Sequence, residues 1–206
     1  MRQEKKDKRR QDILVAAFQV FAEKGYHNTK ISDIAELLQM GHGTFYRYFR
    51  NKLDIFVHVI DLVIGRVAEM IMVEDPESTN SFEEYQEQVK RIAERMFDLL
   101  MMDRNFAKIL FEQAPGIDSI ISEKVQDAWG LFGEYTAQYL HNGVNKGFLR
   151  PDLNIKYTAL VINSMIFEGG RQLLQSETPE DTKKQWMEAA ISLIFSGVGH
   201  PSKTSA

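Results

Sequence analysis

The chain has 206 residues, of which 44% are hydrophobic, carries a formal net charge of −4 and contains no cysteine. The lack of cysteine excludes disulfides, thiolate metal sites and thiol catalysis, while the apolar content suffices for a folded core. No apolar run approaches the roughly 18 residues needed to span a bilayer, and no apolar signal core follows the charged N-terminal segment. These features predict a cytoplasmic protein.

The charge is distributed unevenly along the chain. Residues 1–52 contain eleven Lys or Arg and six Asp or Glu, a net charge of +5, which leaves −9 for the remaining residues. A basic N-terminal segment joined to an acidic remainder would direct a polyanion to the N-terminal segment. Chance variation in surface charge is an equally good explanation when charge is considered alone.

Apolar residues recur with a helical period along almost the whole chain, and no alternating strand pattern is present. Gly25 is placed to terminate the first helix as a C-cap glycine, Thr29 is a candidate N-cap for the second, and Asn51 for the fourth. The period predicts helices at about residues 13–24, 30–38, 44–49, 52–73, 82–102, 105–113, 117–142, 155–175 and 179–196.

Residues 29–52, TKISDIAELLQMGHGTFYRYFRNK, have the pattern of a helix-turn-helix. In this motif the first helix buries its apolar face, and Ile34, Ala35 and Leu38 would form that face. Met40 would fill the core beneath the turn. The second helix needs small residues at its start, so that its backbone can approach base edges in the major groove of DNA. The run Gly41-His42-Gly43-Thr44 meets this requirement.

Side chains around this second helix have the chemistry of DNA contacts. Thr44 can touch a thymine methyl group, His42 can donate to a base or a phosphate, and Arg47 can read either. Tyr46 and Tyr48 would direct hydroxyl groups toward phosphates, and Lys52 lies at a helix start, where an ammonium group and free amides can both meet a phosphate. The alternative is a helical core with incidental aromatic residues, which is how we interpret Phe45 and Phe49.

The segment from Arg9 to about Gly65 resembles the DNA-binding domain of the TetR family of transcriptional regulators. The resemblance rests on GTFYRYF followed by NK, with Ile34 and Ala35 nine and eight residues before the first residue of that string, and covers about a third of the chain. Beyond it, only length and helical architecture match. Two positions depart from the family pattern, because Gln39 stands where glycine is common and Gly41 where Ser or Thr is common.

The resemblance implies a set of residues that contact DNA. Thr29 and Lys30 would bind phosphates, the recognition helix would face bases, and the tyrosines and the following lysine would hold the DNA backbone. The full predicted set is Thr29, Lys30, Gly41, His42, Gly43, Thr44, Tyr46, Arg47, Tyr48 and Lys52.

The resemblance also implies the architecture of the whole chain. We expect an all-α protein of about nine helices, with a three-helix DNA-binding domain at residues 1–52 and its helix-turn-helix at about 30–49. Residues 53–206 would form a larger helical domain for ligand binding and dimerisation. A homodimer formed by the last two long helices would bind double-stranded operator DNA, with its recognition helices roughly 34–36 Å apart.

A small-molecule effector is a further implication, with no cofactor and no metal. Bulky apolar and flexible residues cluster in the middle helices, which favours a hydrophobic effector such as an acyl chain or its coenzyme A thioester. The candidate ligand-binding residues are Phe97, Met101, Phe111, Trp129, Phe132, Met165, Phe167 and Arg171. Ordinary core packing is the alternative for each of them. Gly169-Gly170 within a helix indicates either a close helix approach, room for a ligand, or a tolerated irregularity.

Two other classes of protein compete with a ligand-responsive regulator. An enzyme would need a catalytic or metal-binding motif, but the five histidines are scattered and no HExxH, GxSxG or phosphate-binding glycine loop is present. A structural helical adaptor would explain the long helices but not the basic N-terminal segment with its GTFYRYF string. Within the favoured class, family resemblance makes a repressor the default, and an activator stays open.

Overall fold

Residues 2–199 are described by a computed structural model that consists almost entirely of α-helices. In chain order they are α1 (Arg2–Lys24), α2 (Ile31–Leu37), α3 (His42–Phe45), α4 (Lys52–Ile71), α5 (Phe82–Met102), α6 (Arg104–Lys108), α7 (Ser119–Asn145), α8 (Ile155–Gln175) and α9 (Pro179–Val198). A π-helical turn, Ile109–Gln113, continues α6. The described residues contain no strand and a single isolated bridge, so the prediction of an all-α fold is confirmed.

Several helix ends differ from the sequence-based expectation. α1 begins at Arg2, so the charged N-terminal segment is helical, because its Lys and Arg side chains are favourable in a solvated helix. α3 ends at Phe45 and not at Phe49, since the chain passes into turns after one helical turn. Gly25, with φ +78°, does end α1, as predicted.

By packing, the described chain divides into two compact units. The first unit comprises residues up to Arg66 together with Asp103–Gln126, and the second comprises Val67–Met102 and the residues from Asp127 onward. Helices α4 and α7 each contribute one end to each unit. The predicted functional boundary after Lys52 stays a prediction, and Met1 and residues 200–206 of the two predicted domains lie outside the described residues.

The first unit has a core of aromatic and aliphatic side chains. Phe21 of α1 packs edge-on against Phe56 of α4, with ring centres 4.9 Å apart, and Phe45 and Phe49 lie 5.8 Å apart. Ile34 and Ala35 of α2 are buried as predicted. Short helices such as α2 and α3 are not stable alone, so this shared core holds them in place.

The second unit is a bundle of long helices. Its buried core is formed by Tyr85, Tyr139, Leu140, Leu149, Ala159, Ile162, Ile194 and Val198, which come from α5, α7, α8, α9 and the α7–α8 connection. The connection is joined to the end of α9 by a backbone hydrogen bond of 3.1 Å from Arg150 N to Val198 O. None of the helices within residues 2–199 is both long enough and apolar enough to cross a membrane.

Candidate DNA-binding surface and ligand cavity

The turn between α2 and α3 is a tight reversal closed by backbone hydrogen bonds. Gln39 N donates to Glu36 O at 3.0 Å, and Met40 N donates to Ala35 O at 2.9 Å. Gln39 has φ +49°, in the left-handed region that favours glycine. This conformation explains why glycine is the common residue here in the family pattern, and the fold accepts glutamine at a cost in strain.

The start of α3 leaves the backbone open. Gly41 is the N-cap residue, with φ −70° and ψ 147°, and Thr44 N donates to its carbonyl oxygen at 2.9 Å. A Cβ added at Gly41 or Gly43 would meet no described atom within 4 Å, and both residues are exposed, as is His42. The lack of a Cβ at these two positions leaves space beside the backbone of the first turn, and its close approach to DNA stays a prediction.

The residues after this turn separate into an inner and an outer set. Phe45 and Phe49 are buried, and the Arg10 guanidinium lies 4.9 Å from the centre of the Phe49 ring. Tyr46 is 56% exposed and Arg47 is also exposed. Aromatic residues at adjacent positions thus serve two purposes, since one anchors α3 in the core and the next presents a hydroxyl group at the surface.

Thr29 lies at the start of α2 but does not cap it. Its hydroxyl donates to Gly25 O at 2.7 Å and its side chain is buried, so Thr29 ties the α1–α2 loop to the end of α1. Lys30 is the N-cap residue instead, and its backbone N donates to Asp33 Oδ2 at 2.7 Å. Hydrogen bonds from the Lys24 ammonium and from the Lys30 backbone lower the pKa of Asp33. The Lys30 side chain is exposed, whereas the Thr29 hydroxyl is already engaged.

Lys52 has a role that its position in the sequence does not indicate. Its ammonium donates to three carbonyl oxygens of the α1–α2 loop: Tyr26 at 2.7 Å, Thr29 at 3.0 Å and His27 at 3.2 Å. It also lies 4.5 Å from the centre of the Tyr26 ring. Because an ammonium has three hydrogens, this geometry uses all of its donors. The predicted phosphate contact of Lys52 stays a prediction, and no spacing along the chain would have revealed its contacts with the loop.

The start of α4 is stabilised by side chains on both sides of the helix end. Asn51 Oδ1 accepts from Asp54 N at 2.8 Å, so Asn51 is the cap that the sequence predicts. Asp54 accepts from the Arg50 backbone at 2.8 Å and from its guanidinium at 3.0 Å. Burial alone would raise the pKa of Asp54, but these hydrogen bonds lower it.

The start of α1 adds positive charge to the first unit and lies outside the predicted set of DNA contacts. The first two turns of α1 present an exposed cationic row that includes Lys5, Lys6 and Lys8, followed by the half-buried Arg9 and Arg10. The run of basic residues was itself the signal, because a basic helical segment beside a helix-turn-helix adds positive charge where a polyanion would bind.

The second unit contains a cavity with almost entirely apolar walls. Its volume is about 90 Å³, below the roughly 300–1,000 Å³ of a typical ligand site. Its lining comes from α4, α5, α7, α8 and α9: Val67, Ile71, Tyr85, Val89, Ile92, Ala93, Met96, Phe97, Phe132, Thr136, Tyr139, Ile162, Asn163, Met165, Ile166, Phe167, Trp186, Met187, Ala190, Ile191 and Ile194. Three methionines in this wall are flexible enough to move aside for a larger ligand.

Half of the residues proposed from the sequence as ligand contacts line this cavity. Phe97, Met165 and Phe167 do so together with Phe132. Trp129 is not part of the lining, but its ring is in edge contact with Phe167, with ring centres 3.4 Å apart. The remaining three, Met101, Phe111 and Arg171, are not part of the lining, and Phe111 belongs to the first unit. The predicted set contains no residue of α9, because this helix is predicted to form the dimer interface.

Arg171 is engaged in an ion pair along α8 and not in the cavity. Its Nε and Nη2 donate to the two carboxylate oxygens of Glu168 at 2.8 and 2.6 Å. The bonds from Arg171, aided by one from Gln172, lower the pKa of Glu168 to about 2. A group held in this bidentate pair does not project into the apolar chamber, so the expectation that Arg171 orients a ligand there is not supported by its geometry.

The last two long helices present an exposed apolar face. On α8, Tyr157 and Val161 are 60% and 53% exposed, and Leu160 packs against Gly133 of α7 while staying partly accessible. On α9, Leu193 is 64% exposed. Trp186 and Ile194, also on α9, line the cavity instead. These exposed apolar side chains are candidates for burial against another molecule.

Comparison with known proteins shows that the sequence is similar to those of transcriptional regulators. Residues 13–59 match the sequence profile of a family described as bacterial regulatory proteins, tetR family. The chain is 25% identical over 186 residues to the fatty acid metabolism regulator protein of Bacillus subtilis, covering 90% of this chain and 93% of that protein. It is 18% identical over 195 residues to the HTH-type transcriptional activator FasR of Mycolicibacterium smegmatis, covering 95% and 85% respectively.

The fold also resembles solved structures of regulators. The transcriptional regulator FadR from Bacillus subtilis, in complex with stearoyl-CoA, superimposes with a TM-score of 0.77 at 23% identity, covering 91% of this chain and 98% of that chain. At this level of identity the likeness shows the fold. All of these relatives are named as regulators and none as an enzyme.

Proposed function

Because the chain belongs to the TetR family of transcriptional regulators, we propose that it acts as a repressor: a homodimer that binds a palindromic operator and is released by a hydrophobic effector. The observation that carries this proposal is the division of the α3 region into buried Phe45 and Phe49 and exposed His42, Tyr46 and Arg47. The exposed polar groups supply hydrogen-bond donors beside a backbone that two glycines leave open, which is the combination that a major-groove contact needs.

The DNA contacts follow from this division. Gly41, Gly43 and Thr44 allow the start of α3 to enter the major groove, with Thr44, His42 and Arg47 directed at base edges. Tyr46, Tyr48 and Lys30 bind the DNA backbone. The cationic start of α1 adds sequence-independent attraction, which makes affinity depend on salt. Thr29 and Lys52 support DNA binding by holding the α1–α2 loop in position.

The proposed effector is a long acyl chain or its coenzyme A thioester. The apolar walls of the cavity support a hydrocarbon, and the stearoyl-CoA bound by the Bacillus subtilis FadR structure gives a chemical precedent in a protein of the same fold. The small volume of the cavity means that binding must expand it. The effector would therefore favour a conformer with a wider chamber.

The route by which such a conformer affects DNA binding is α4. This helix starts at Lys52, whose ammonium holds the α1–α2 loop, and ends at Ile71, which lines the cavity with Val67. A shift of its C-terminal end would alter the spacing of the recognition helices in a dimer. Coupling of this kind weakens DNA affinity only as far as the effector distinguishes the two conformers.

The proposal is tested by selecting bound sequences from random DNA with the full chain and then measuring affinity for selected and random duplexes. Tyr46→Phe is expected to weaken affinity for both the selected and the random duplexes by roughly fivefold, because it removes a contact with the DNA backbone. Thr44→Ala and Arg47→Ala are expected to change the selected sequence, since a base contact provides roughly 1–3 kcal/mol of discrimination. Equal losses on both duplexes for all three variants would contradict the assignment of base contacts.

Salt dependence separates a direct phosphate contact from an indirect one. Lys30→Met is expected to lower the slope of log affinity against log salt by about 0.9, whereas Lys52→Met is expected to lower affinity and thermal stability without changing the slope. Lys90→Met, on α5 in the second unit, where the ammonium pairs with Glu87 of the same helix, serves as the matched control. Stearoyl-CoA should release the operator from the wild-type protein, and its failure to do so would exclude this effector.

A further inference from the structure

One polar pair interrupts the apolar wall of the cavity. The Thr136 hydroxyl on α7 donates to Asn163 Oδ1 on α8 at 2.8 Å, and both residues line the chamber. The hydrogen bond orients the Asn163 amide, because it determines which end of the group faces α7. This pair carries a desolvation cost, because apolar side chains of the same size would pack in the wall of the cavity without one. The cost suggests that the two polar groups have a function.

The other end of the Asn163 amide is left without a partner. Nδ2 is buried, and no acceptor among the described residues lies within hydrogen-bond distance of it. Buried amide donors nearly always have a partner in folded proteins, because leaving one unmade costs more than a typical hydrogen bond gains. An unsatisfied donor on a residue that lines the cavity is therefore matched to an acceptor carried by a ligand whose binding expands the cavity.

The neighbouring groups restrict the charge of that acceptor. The Tyr139 hydroxyl donates to Glu74 O at 3.0 Å and is already engaged. Burial raises the pKa of the Tyr85 phenol, which keeps it neutral. None of the described residues that line the cavity is Lys, Arg or His. A carboxylate placed here would lose its hydration without gaining a counter-charge, whereas a neutral carbonyl oxygen would lose much less.

We propose that Asn163 Nδ2 donates to a neutral carbonyl oxygen of the effector, so that the cavity selects acyl thioesters or esters over free fatty acids. Thr136 is the positioning residue, because it holds Oδ1 and thereby aims Nδ2. This inference rests on the proposed acyl effector and adds the chemical form in which that effector is recognised.

The test compares two ligands that differ in the carbonyl oxygen. Stearoyl-CoA has a thioester, and S-octadecyl-CoA, with the same chain length, has a thioether with no acceptor oxygen. Titration calorimetry on the full chain is expected to give roughly tenfold tighter binding of the thioester to the wild type. Stearate is expected to bind at least tenfold more weakly than stearoyl-CoA.

Three variants assign the preference to this pair. Asn163→Leu removes the donor at similar volume and should reduce the thioester preference to about onefold. Because it also removes the acceptor of the Thr136 hydroxyl, the melting temperature should fall slightly. Thr136→Val should give an intermediate preference. Ser164→Ala is the control, because its hydroxyl donates to Leu160 O on the same helix, and it should keep the full tenfold preference.

The outcomes distinguish this inference from the proposed function. Equal binding of both ligands to the wild type, or an undiminished preference in Asn163→Leu, would overturn the role of Asn163 and leave an acyl effector intact. Binding of neither ligand by a folded, DNA-binding protein would overturn the acyl effector and this inference with it. Binding of stearate as tight as that of stearoyl-CoA would overturn the selection for a neutral carbonyl.

Discussion

At the scale of single residues, Gln39 stands where the family pattern commonly has glycine, and its backbone conformation is strained. Its left-handed backbone closes the turn that sets the angle between α2 and α3. A side chain with a Cβ adopts this conformation at a cost of order 1 kcal/mol, whereas glycine adopts it freely. The geometry of the recognition helix therefore depends on a strained residue.

We expect Gln39→Gly to stabilise the protein by about 0.5–1 kcal/mol, because relief of the strain exceeds the added flexibility of the unfolded chain. Urea unfolding measures the change. Gln39→Ala is the matched control, since alanine also has a Cβ and should give no gain. If both variants had the same stability, backbone strain at this position would be excluded.

Glu74 is a second residue on which local geometry depends, here through an ionised side chain. Its carboxylate, 12% exposed, accepts from Arg91 at 3.0 and 3.1 Å and from Arg95 at 2.9 Å. The hydrogen bonds from Arg91 lower the pKa of Glu74, although burial acts in the opposite direction. Its backbone oxygen also accepts from Tyr135 and Tyr139, so one residue ties the segment after α4 to α5 and α7.

The lowered pKa predicts a pH dependence of stability. The contribution of Glu74 is fully present above the ordinary glutamate pKa of 4.5 and is lost as the pH falls through the lower value in the folded protein. We expect Glu74→Gln to lose about 1 kcal/mol at pH 7 and to show a flatter decline than the wild type on acidification below pH 4.5. Glu94→Gln, exposed on α5, should follow the wild-type curve in chemical unfolding measured from pH 7 to pH 3.

At the scale of elements, the contact between α8 and α9 depends on a glycine. A Cβ at Gly169 would lie 2.4 Å from Trp186 Nε1 and 2.7 Å from Phe97 Cζ. The Trp186 indole also donates to Met165 O at 3.0 Å, which joins α9 to α8. Of the explanations for Gly169-Gly170 left open by the sequence, the close approach of other side chains accounts for Gly169.

Gly169→Ala is therefore expected to destabilise the second unit by about 1–2 kcal/mol, because overpacking outweighs the helix propensity of alanine. Gly130→Ala provides the opposite case on α7, where a Cβ would meet no described atom within 4 Å, and should stabilise by about 0.5–1 kcal/mol. Thermal unfolding of both variants checks the pair. A stable Gly169→Ala protein would mean that Trp186 repacks without loss.

At the scale of the whole molecule, a two-fold dimer would unite two copies of a surface that the isolated chain leaves exposed. Tyr157, Val161 and Leu193 are exposed on the helices that we propose form the interface. In such a dimer each substitution counts twice, because both partners use the same surface.

We expect Leu193→Glu to weaken dimerisation by at least about 100-fold, since two buried charges are introduced at once, and to reduce operator affinity in parallel. Light scattering coupled to size-exclusion chromatography measures the mass. Met102→Glu changes an exposed residue at the end of α5 and should leave the mass unchanged. A Leu193→Glu protein that stayed dimeric at micromolar concentration would exclude this interface.

Much of the architecture could be predicted from the sequence because its causes are local. Helical periodicity, the terminating Gly25 and the cap at Asn51 depend on residues within one or two turns of each other, and each was confirmed. The helix-turn-helix string GTFYRYF followed by NK indicated the family, which the matching profile supports. The end of α3 was predicted four residues too late. Phe45 and Phe49 have the spacing of one helical face, but the chain between them forms turns.

The tertiary structure alone decided which side chains meet across long separations. Lys52 reaches carbonyl groups more than twenty residues earlier, Thr136 meets Asn163 across 27 positions, and the cavity draws its lining from five helices. Helical periodicity predicts that a residue faces inward. It does not predict whether other side chains fill the space that the residue faces, because that depends on how neighbouring helices pack. For the same reason the apolar residues of α9 divided between a cavity wall and an exposed face only when the bundle was assembled.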